Sequence, residues 1–522
     1  MRYRRQSFVF ILMIFLLGAK NEPVLIYQDS LHREPLKAIA LDSPLRAFAH
    51  EMGLVFSQSE FRKAHVGFIV TSAKSQEVLA ERDADILLNP ASNIKLITTL
   101  AALLLLRPEY RFKTEYYIDN GNLYVKGYGD PTIVSERLQR VAHELKLRGV
   151  TQITGRVVLD TSYFDNNNEP KGFEKFRNSL KTYAAPIGAL SFNHYVVQIV
   201  ARPTQKGQRA FWAVEPLSDY FQMTGSIETA AKSKQPTFKF VNDGEKMRVL
   251  ASGKIGMNAG FIQMRRRIFN PEQHFGGALI HYLTQEGLVL ASNSLSLDMV
   301  PAHAKLLYVD RSAPLTQIIA ETNKHSSNFM AEMLVKAIAA KTATPASFSN
   351  GLATIRQFLE KSVGFKAGSY NLINGSGLGD GNRLSARHFA KLLTYGSHNF
   401  EIASEFMGSL GVAGSQGTLS KRMRDSDADG RLRAKTGTLN NVSALSGYVA
   451  TKNNDTLIFS ILVEGYTVPT YRIWRLQDRI GDSLAQVRIL SPDGDLVTGT
   501  HQEENDGLDT DMDEEDDEAT GG

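Results

Sequence analysis

The apolar run LITTLAALLLL, residues 96–106, is the feature that most constrains how this 522-residue chain can fold. Its only polar members are two threonines, so a helix built from it has no solvent-facing side and must be covered all round. The run is also too short to cross a bilayer, which needs about 20 apolar residues. It therefore predicts a buried core helix inside a large globular domain.

A serine and a lysine, Ser92 and Lys95, stand at the start of this run. On a helix, residues three positions apart face the same way, so the two side chains can meet. A serine hydroxyl becomes a good nucleophile only when a neighbouring base takes its proton, and burial can lower the pKa of a lysine enough for that task. The S-x-x-K pattern alone is weak evidence, since it recurs by chance on exposed helices.

Two further elements follow S-x-x-K along the chain. The stretch HSSNFMAEML holds an S-x-N element in a predicted turn before a helix, and AKTGTL holds a K-T-G element on a predicted strand. S-x-x-K, S-x-N and K-T-G in this order are the signature of penicillin-binding proteins and class A β-lactamases. The residues concerned are Ser92 and Lys95, then Ser326 and Asn328, then Lys435, Thr436 and Gly437, with Thr438 next.

Longer stretches make the resemblance narrower. The segments VKGYGDPT, GRVVLDTSYFD, YAAPIGALSFN, NGSGLG and GSQGTL resemble the D-alanyl-D-alanine carboxypeptidase/endopeptidase family, the penicillin-binding protein 4 type among low-molecular-mass penicillin-binding proteins. The resemblance covers roughly residues 40–488. One departure is Ser327, the middle residue of S-x-N, where an acidic residue is common.

The K-T-G element suggests how a peptide substrate is held. A strand at the edge of the site can bind an extended peptide by strand addition, and Gly437 permits close backbone approach. We expect Lys435 and Thr436 to hold the terminal carboxylate of the substrate.

The remaining motif residues suggest how the reaction proceeds. We expect Ser92 to be the nucleophile and Lys95 its base. The backbone N–H groups of Ser92 and Thr438 would form the oxyanion hole. Ser326 can relay a proton to the leaving group, while Asn328 can orient Lys95 and the substrate amide.

The spacing of the motifs predicts the domain organisation. Lys95 and Ser326 are separated by a block, residues 107–300, that is rich in short strands and Gly, Pro and Asn turns. The predicted fold is α+β: a β-lactamase/transpeptidase-like domain, an antiparallel sheet flanked by helices, interrupted by a β-rich insertion with a further nested β domain. The predicted parts are a signal peptide (1–19), the catalytic domain (28–106 and 309–490), the inserted domain (107–193 and 269–308), the nested domain (194–268) and a disordered acidic tail (491–522).

A last helix is predicted from Tyr471 to Val487. Apolar residues recur there at helical spacing, which indicates one buried face and one exposed face. They are Ile473, Trp474, Leu476, Ile480 and Leu484.

The N-terminal sequence favours export. An Arg-rich start, an apolar run over residues 8–17 and small residues at 18–19 are typical of a secretory signal peptide, although an uncleaved membrane anchor stays open. The expected location is the periplasm, or the cell wall more generally.

The chain has no cysteine, which excludes disulfides, thiolate nucleophiles and Cys-bound zinc. Eleven acidic residues lie between 503 and 518, so the rest of the chain is strongly basic and suits an anionic polymer or lipid surface.

The predicted function is that of a serine DD-peptidase of peptidoglycan, acting as a carboxypeptidase, an endopeptidase or both. Peptidoglycan stem peptides are the expected substrates, β-lactams the expected covalent inhibitors, and neither a cofactor nor a metal is expected, since no H-E-x-x-H pattern occurs. Nucleic acid is not an expected partner, and the oligomeric state is left open.

Two rival functions remain at this stage. One is a β-lactamase, which needs a deacylation base that the sequence does not reveal, and the other is a non-catalytic wall-binding protein.

Overall fold

The structure, a computed structural model, describes residues 37–38, 43–232, 234–244 and 246–488. The predicted signal peptide (1–19) and acidic tail (491–522) lie outside the described residues. In chain order the strands are β1 (Lys37–Ala38), β2 (His65–Ser72), β3 (Val78–Arg82), β4 (Lys113–Asp119), β5 (Asn122–Gly127), β6 (Gln152–Ile153), β7 (Val157–Asp160), β8 (Val196–Arg202), β9 (Phe211–Glu215), β10 (Phe221–Gly225), β11 (Glu228–Ala230), β12 (Thr237–Asn242), β13 (Met247–Ser252), β14 (Lys254–Gly256), β15 (Ile262–Arg267), β16 (Val289–Leu290), β17 (Leu295–Leu297), β18 (Lys305–Arg311), β19 (Gly411–Val412), β20 (Leu432–Leu439), β21 (Val442–Ala450) and β22 (Thr456–Glu464). The helices are α1 (Ser43–Phe56), α2 (Ile94–Leu106), α3 (Ser135–Leu147), α4 (Pro271–Gln285), α5 (Leu315–Lys324), α6 (Asn328–Ala339), α7 (Phe348–Phe358), α8 (Ala386–His398), α9 (Ala403–Gly408) and α10 (Thr470–Gln486).

The largest sheet joins the two ends of the described chain. Within the described residues it has seven strands in the order β1-β3-β2-β22-β21-β20-β19, and every neighbouring pair is antiparallel. Successive residues of a strand point to opposite faces. Phe68 and Val70 thus pack with α1 and α10, whereas Ile69 packs with α2 and the helices of the other side. Both faces are covered, which is why the strands are nearly continuous apolar runs.

Helix α2 is the buried helix that the apolar run predicts. Eleven of its thirteen residues are buried, including Lys95, Thr98 and Thr99. It packs against the helices α5, α6 and α7, and the turn that leads into it, residues 91–93, contacts β20 and β21 of the large sheet. The prediction of a core helix is confirmed, and the first turn of this helix is the point from which the candidate site is built.

The block between the motifs forms its own sheets. A five-stranded sheet in the order β17-β7-β5-β4-β18 packs against α3 and α4, and residues 196–267 add three smaller sheets, all within the described part of the chain. The α+β class is therefore confirmed. Strand β18 crosses the predicted boundary at residues 308/309 because it pairs with β4 of the inserted block. The described residues belong to one compact unit, so the finer division into modules stays a prediction.

The last helix, α10, buries a narrower face than predicted. Ile473, Leu476, Ile480 and Leu484 are buried, as expected, but Trp474 is 36% exposed. One position after Ile473 the helix has turned by about 100°, which carries the indole off the buried stripe. Its ring lies instead beneath the guanidinium of Arg422, 5.8 Å from the ring centroid.

No helix among the residues that the structure describes combines the length and apolar character needed to span a membrane.

Replacing Leu100 by alanine tests how much the fold depends on α2. The side chain is fully buried, so removing it leaves a cavity as well as losing apolar burial. We expect the free energy of unfolding to fall by about 2–5 kcal/mol in a urea titration. Leu104→Ala on the same helix, where the leucine is only partly buried, is the matched control and should cost less. Equal losses would contradict the central packing of Leu100.

Candidate active site

The S-x-x-K element lies at the junction of a short 3₁₀ turn and α2. Ser92 belongs to the turn Ala91–Asn93, and α2 begins at Ile94, so Lys95 occupies the first turn of the helix. The Lys95 Nζ lies 2.9 Å from the Ser92 Oγ. The i, i+3 spacing thus brings the two side chains together as predicted, with the serine in the turn and not in the α-helix itself.

The Lys95 amine has three oxygen neighbours and no exposure to solvent. Besides Ser92 these are the Asn328 Oδ1, at 2.7 Å, and the carbonyl oxygen of Ser376, at 2.6 Å. As an ammonium, the group can donate to all three. As a neutral amine, it can donate to Asn328 and Ser376 and accept the hydroxyl proton of Ser92 with its lone pair. Both protonation states therefore fit the same geometry, and proton transfer needs no rearrangement.

The environment favours the neutral form of Lys95. Burial holds its pKa well below the ordinary value, the positive charge of Lys435 lowers the pKa further, and the carboxylate of Glu332 opposes them. Desolvation penalises the ammonium, and a like charge adds to that penalty. The lysine is therefore placed to act as a base towards Ser92.

The S-x-N element lies in the break between α5 and α6. Ser326 has a left-handed backbone conformation, with φ of +56°, which costs a non-glycine residue on the order of 1 kcal/mol or more and is often found at functional sites. Ser327, the departure from the family pattern, caps α6, since its Oγ accepts from the N–H of Met330 at 3.2 Å. Asn328 then points one amide oxygen at Lys95 and donates its Nδ2 to the carbonyl of Tyr183 at 2.9 Å.

The K-T-G element lies on β20, beside both other elements. The Lys435 Nζ donates to the Ser326 Oγ and to the carbonyl of Thr436, at 2.8 Å each. Burial lowers the pKa of Lys435 to about 7. Gly437 lies against the nucleophile, because a Cβ at this position would come within 3.1 Å of the backbone N of Ser92. Only a glycine permits this close approach.

The outer edge of β20 is open where the motif lies. Strand β21 pairs with β20 over its whole length, but β19 covers only Arg433 and Ala434 on the other edge. Within the described residues no strand pairs with that edge from Lys435 to Leu439. An unpaired edge of this kind can accept an extended peptide, and Thr438, which is exposed, lies within it.

Three contributors, Glu332, Thr418 and Tyr183, were not assigned a role from the sequence. Glu332 is fully buried on α6, and its carboxylate accepts the N–H groups of Ser376, at 2.7 Å, and Gly375, at 3.2 Å. These two hydrogen bonds fix the loop in which the Ser376 carbonyl accepts a hydrogen bond from the Lys95 amine. Burial raises the pKa of Glu332. A signal was available, because a glutamate four positions after Asn328 on an apolar helix must share its face.

Thr418 and Tyr183 complete this set. The Thr418 Oγ1 lies 2.7 Å from the Thr436 Oγ1, so the GSQGTL stretch reaches the K-T-G strand. The Tyr183 carbonyl orients Asn328. Both residues lie in stretches that carried the family resemblance, but only distances in the folded chain assign them to the site. Among the described residues, no group of three or more histidine or acidic side chains is placed to hold a metal ion.

Replacing Glu332 by glutamine tests its positioning role. A glutamine can accept one of the two backbone N–H groups but turns its own amide donor towards the other, so the loop should shift and the kcat/KM for a D-Ala-D-Ala peptide should fall. The negative charge of Glu332 stabilises the ammonium form of Lys95. Its removal should therefore lower the Lys95 pKa and move the acidic limb of the kcat/KM profile to lower pH. A fall in activity with an unmoved acidic limb would show that Glu332 is only structural.

Comparison with known proteins is consistent with this arrangement. The chain matches the model of the D-Ala-D-Ala carboxypeptidase 3 (S13) family over residues 50–477. It is 30% identical over 482 residues to the D-alanyl-D-alanine carboxypeptidase of Actinomadura sp. (strain R39), a match that covers 87% of this chain and 88% of the relative.

Solved structures give the same fold. The crystal structure of penicillin binding protein 4 (dacB) from Haemophilus influenzae matches with a TM-score of 0.69 at 22% identity, covering 85% of this chain and 99% of that one. The same protein complexed with a novel β-lactam matches with a TM-score of 0.65 at 22% identity, over 84% and 97% of the two chains. The predicted transpeptidase-like fold is therefore confirmed. From the family match and the Actinomadura relative together, the chain belongs to the D-Ala-D-Ala carboxypeptidase 3 (S13) family of serine-type hydrolases.

Proposed function

We propose that Ser92 carries the carboxypeptidase activity through an acyl-enzyme and that the substrate is the stem peptide of peptidoglycan. The observation that supports this most directly is the hydrogen bond of 2.9 Å between Ser92 and a fully buried lysine whose pKa lies well below its ordinary value. Without such a base a serine hydroxyl is a weak nucleophile. The named activity of the Actinomadura relative, a D-alanyl-D-alanine carboxypeptidase, agrees with the proposal.

In the proposed first step, Lys95 accepts the hydroxyl proton as the Ser92 Oγ attacks the carbonyl of a D-alanine residue. The negative charge that develops on the carbonyl oxygen is taken up by the backbone N–H groups of Ser92 and Thr438, which lie on neighbouring segments in contact at Gly437. The bond from the Oγ to the carbonyl carbon forms, and a tetrahedral intermediate results.

In the second step, the amide C–N bond breaks and the departing nitrogen takes a proton. The Ser326 hydroxyl is the proposed donor, because the Lys435 ammonium lies 2.8 Å away and can replace the proton that Ser326 gives up. Lys435 and Thr436 also hold the carboxylate of the departing D-alanine. Water then attacks the ester, which releases the acid and regenerates the Ser92 hydroxyl. Lys95 gives its proton to solvent and Lys435 takes one up, so both amines return to their starting states. Removal of a terminal D-alanine and cutting of a peptide cross-link follow the same steps and differ only in the amine that leaves.

β-Lactams are the proposed covalent inhibitors, since the strained lactam amide can acylate Ser92 in place of the substrate. The fold shared with a penicillin binding protein that has been captured with a β-lactam supports this. We further propose export to the periplasm or cell wall, where the substrate lies. The Arg-rich start and the apolar run at residues 8–17 support this location.

Fluorescent penicillin tests the nucleophile and its base. We expect a stable covalent band with the wild-type protein and none with Ser92→Ala. Lys95→Ala should label slower by on the order of 100- to 10,000-fold, because the general base is lost. Thr438→Ser, which keeps the backbone N–H and a hydroxyl, is the matched control. Labelling of Ser92→Ala at the wild-type rate would place the nucleophile elsewhere. Rapid cephalosporin turnover without a band would indicate a β-lactamase.

The pH dependence tests Lys435. Because its pKa is lowered to about 7, its charge is present below that pH and lost above it. The kcat/KM for a peptide ending in a free D-alanine carboxylate should therefore fall as the pH rises through about 7. A peptide amidated at its C-terminus has no carboxylate to bind and should lack most of this fall. An equal fall of kcat/KM through about pH 7 for both peptides would contradict carboxylate binding by the Lys435 charge.

A further inference from the structure

An open cleft of about 920 Å³ begins at the S-x-N element and extends away from the K-T-G strand. Ser326 and Asn328 form its near wall, and strands β8, β9 and β15 of the inserted block contribute to its far wall. This volume is at the upper end for a ligand site and much larger than a single released D-alanine needs. The mechanism proposed above uses only the near wall and leaves the rest of the cleft without a role.

The far wall carries an ordered row of polar side chains. Arg265 on β15 pairs with Gln198 on β8, and Gln198 pairs with Glu215 on β9. Residues directly opposite one another on antiparallel strands share a face of the sheet, so the three side chains form one row across three strands. All three line the cleft. The row thus presents a guanidinium, an amide and a carboxylate in sequence.

These side chains have unused bonding capacity. Across the described part of the chain, no side chain or backbone group hydrogen-bonds to or forms an ion pair with the side chain of Arg265, Gln198 or Glu215. The same is true of Glu321, which extends the acidic character of the near wall. The structure therefore offers one cationic and two anionic groups whose partners can come from a ligand.

A left-handed turn fixes the two walls relative to each other. Asn193, His194 and Tyr195 have φ values of +48°, +54° and +53°, an uncommon run for residues other than glycine. The turn leads directly into β8 and places the rings of His194 and Tyr195 edge-on against Phe329, with centroids 5.9 and 5.5 Å away. Phe329 follows Asn328 in the chain. Strain of this kind is maintained where the position of nearby groups matters.

We propose that the cleft is a second substrate subsite, which holds the peptide attached to the departing amine when the enzyme cuts a cross-link. Its ligand would be a zwitterionic peptide, with a carboxylate on Arg265, an ammonium group on Glu215 or Glu321, and a backbone amide on Gln198. The position supports this, because Ser326, the proposed proton donor to the departing amine, forms part of the near wall of the cleft. The inference rests on the proposed function and places the peptide of the departing amine in this cleft.

The test compares two substrates with the full-length protein. One is a small acylated peptide ending in D-Ala-D-Ala, and the other is a purified cross-linked muropeptide dimer. For Arg265→Gln and Glu215→Gln we expect the KM for the dimer to rise about 10-fold or more, because each variant removes a hydrogen bond to a charged group. The kcat/KM for the small peptide and the rate of penicillin labelling should stay within about twofold of wild type. Arg209→Gln is the matched control, since this exposed arginine of the inserted block does not line the cleft.

The outcomes separate the subsite from the proposed function. Equal losses on both substrates, or no loss on either, would overturn the subsite. A wild-type protein that cleaves the small peptide but not the dimer would also overturn it and leave the proposed function intact. Hydrolysis of neither substrate would overturn both. Calorimetric binding of the dimer to Ser92→Ala, weakened about 10-fold by adding Arg265→Gln, gives a measure that does not depend on turnover.

Discussion

The rest of the structure depends on one buried group, the amine of Lys95. It lies in the core beside Ser92, with no solvent to hydrate it. An isolated ammonium there would be costly, so the fold supplies oxygen partners from two distant segments and lets the pKa fall. The oxygens of Asn328 and Ser376 make the neutral amine stable and directed. The helix α2 that carries Lys95 must therefore be buried from its first turn, and the apolar run that follows gives that burial.

The large sheet provides the second half of the site. Its strands are covered on both faces, so β20 cannot tilt without disturbing two cores. This rigidity matters because Gly437 lies against the backbone of Ser92, and any shift of the strand would move the nucleophile. The outer edge of β20 is nevertheless open over the K-T-G residues. A fixed strand with a free edge is suited to binding an extended peptide in one register.

Much of this could be predicted from sequence because the signals are local. The apolar run predicted α2, and the AKTGTL stretch predicted the strand β20. The three motifs placed Ser92, Lys95 and Lys435 in one site. Glu332 was missed because its role depends on a loop 43 or 44 positions away, and helical spacing alone does not reveal which loop it faces. The burial of Trp474 was predicted wrongly because an apolar residue was assumed to lie on the apolar face of its helix.

The separation of the motifs along the chain has a consequence for folding. Ser92 and Lys95 are three residues apart and can meet as soon as α2 forms, but the bond from Lys95 to Asn328 spans 233 positions. Closing so long a loop carries an entropy cost that local contacts do not, and sites built from such contacts assemble late. The nucleophile therefore acquires its directed base only after the whole insertion has folded and returned the chain to α6. A partly folded molecule would carry the serine and the lysine without being a catalyst.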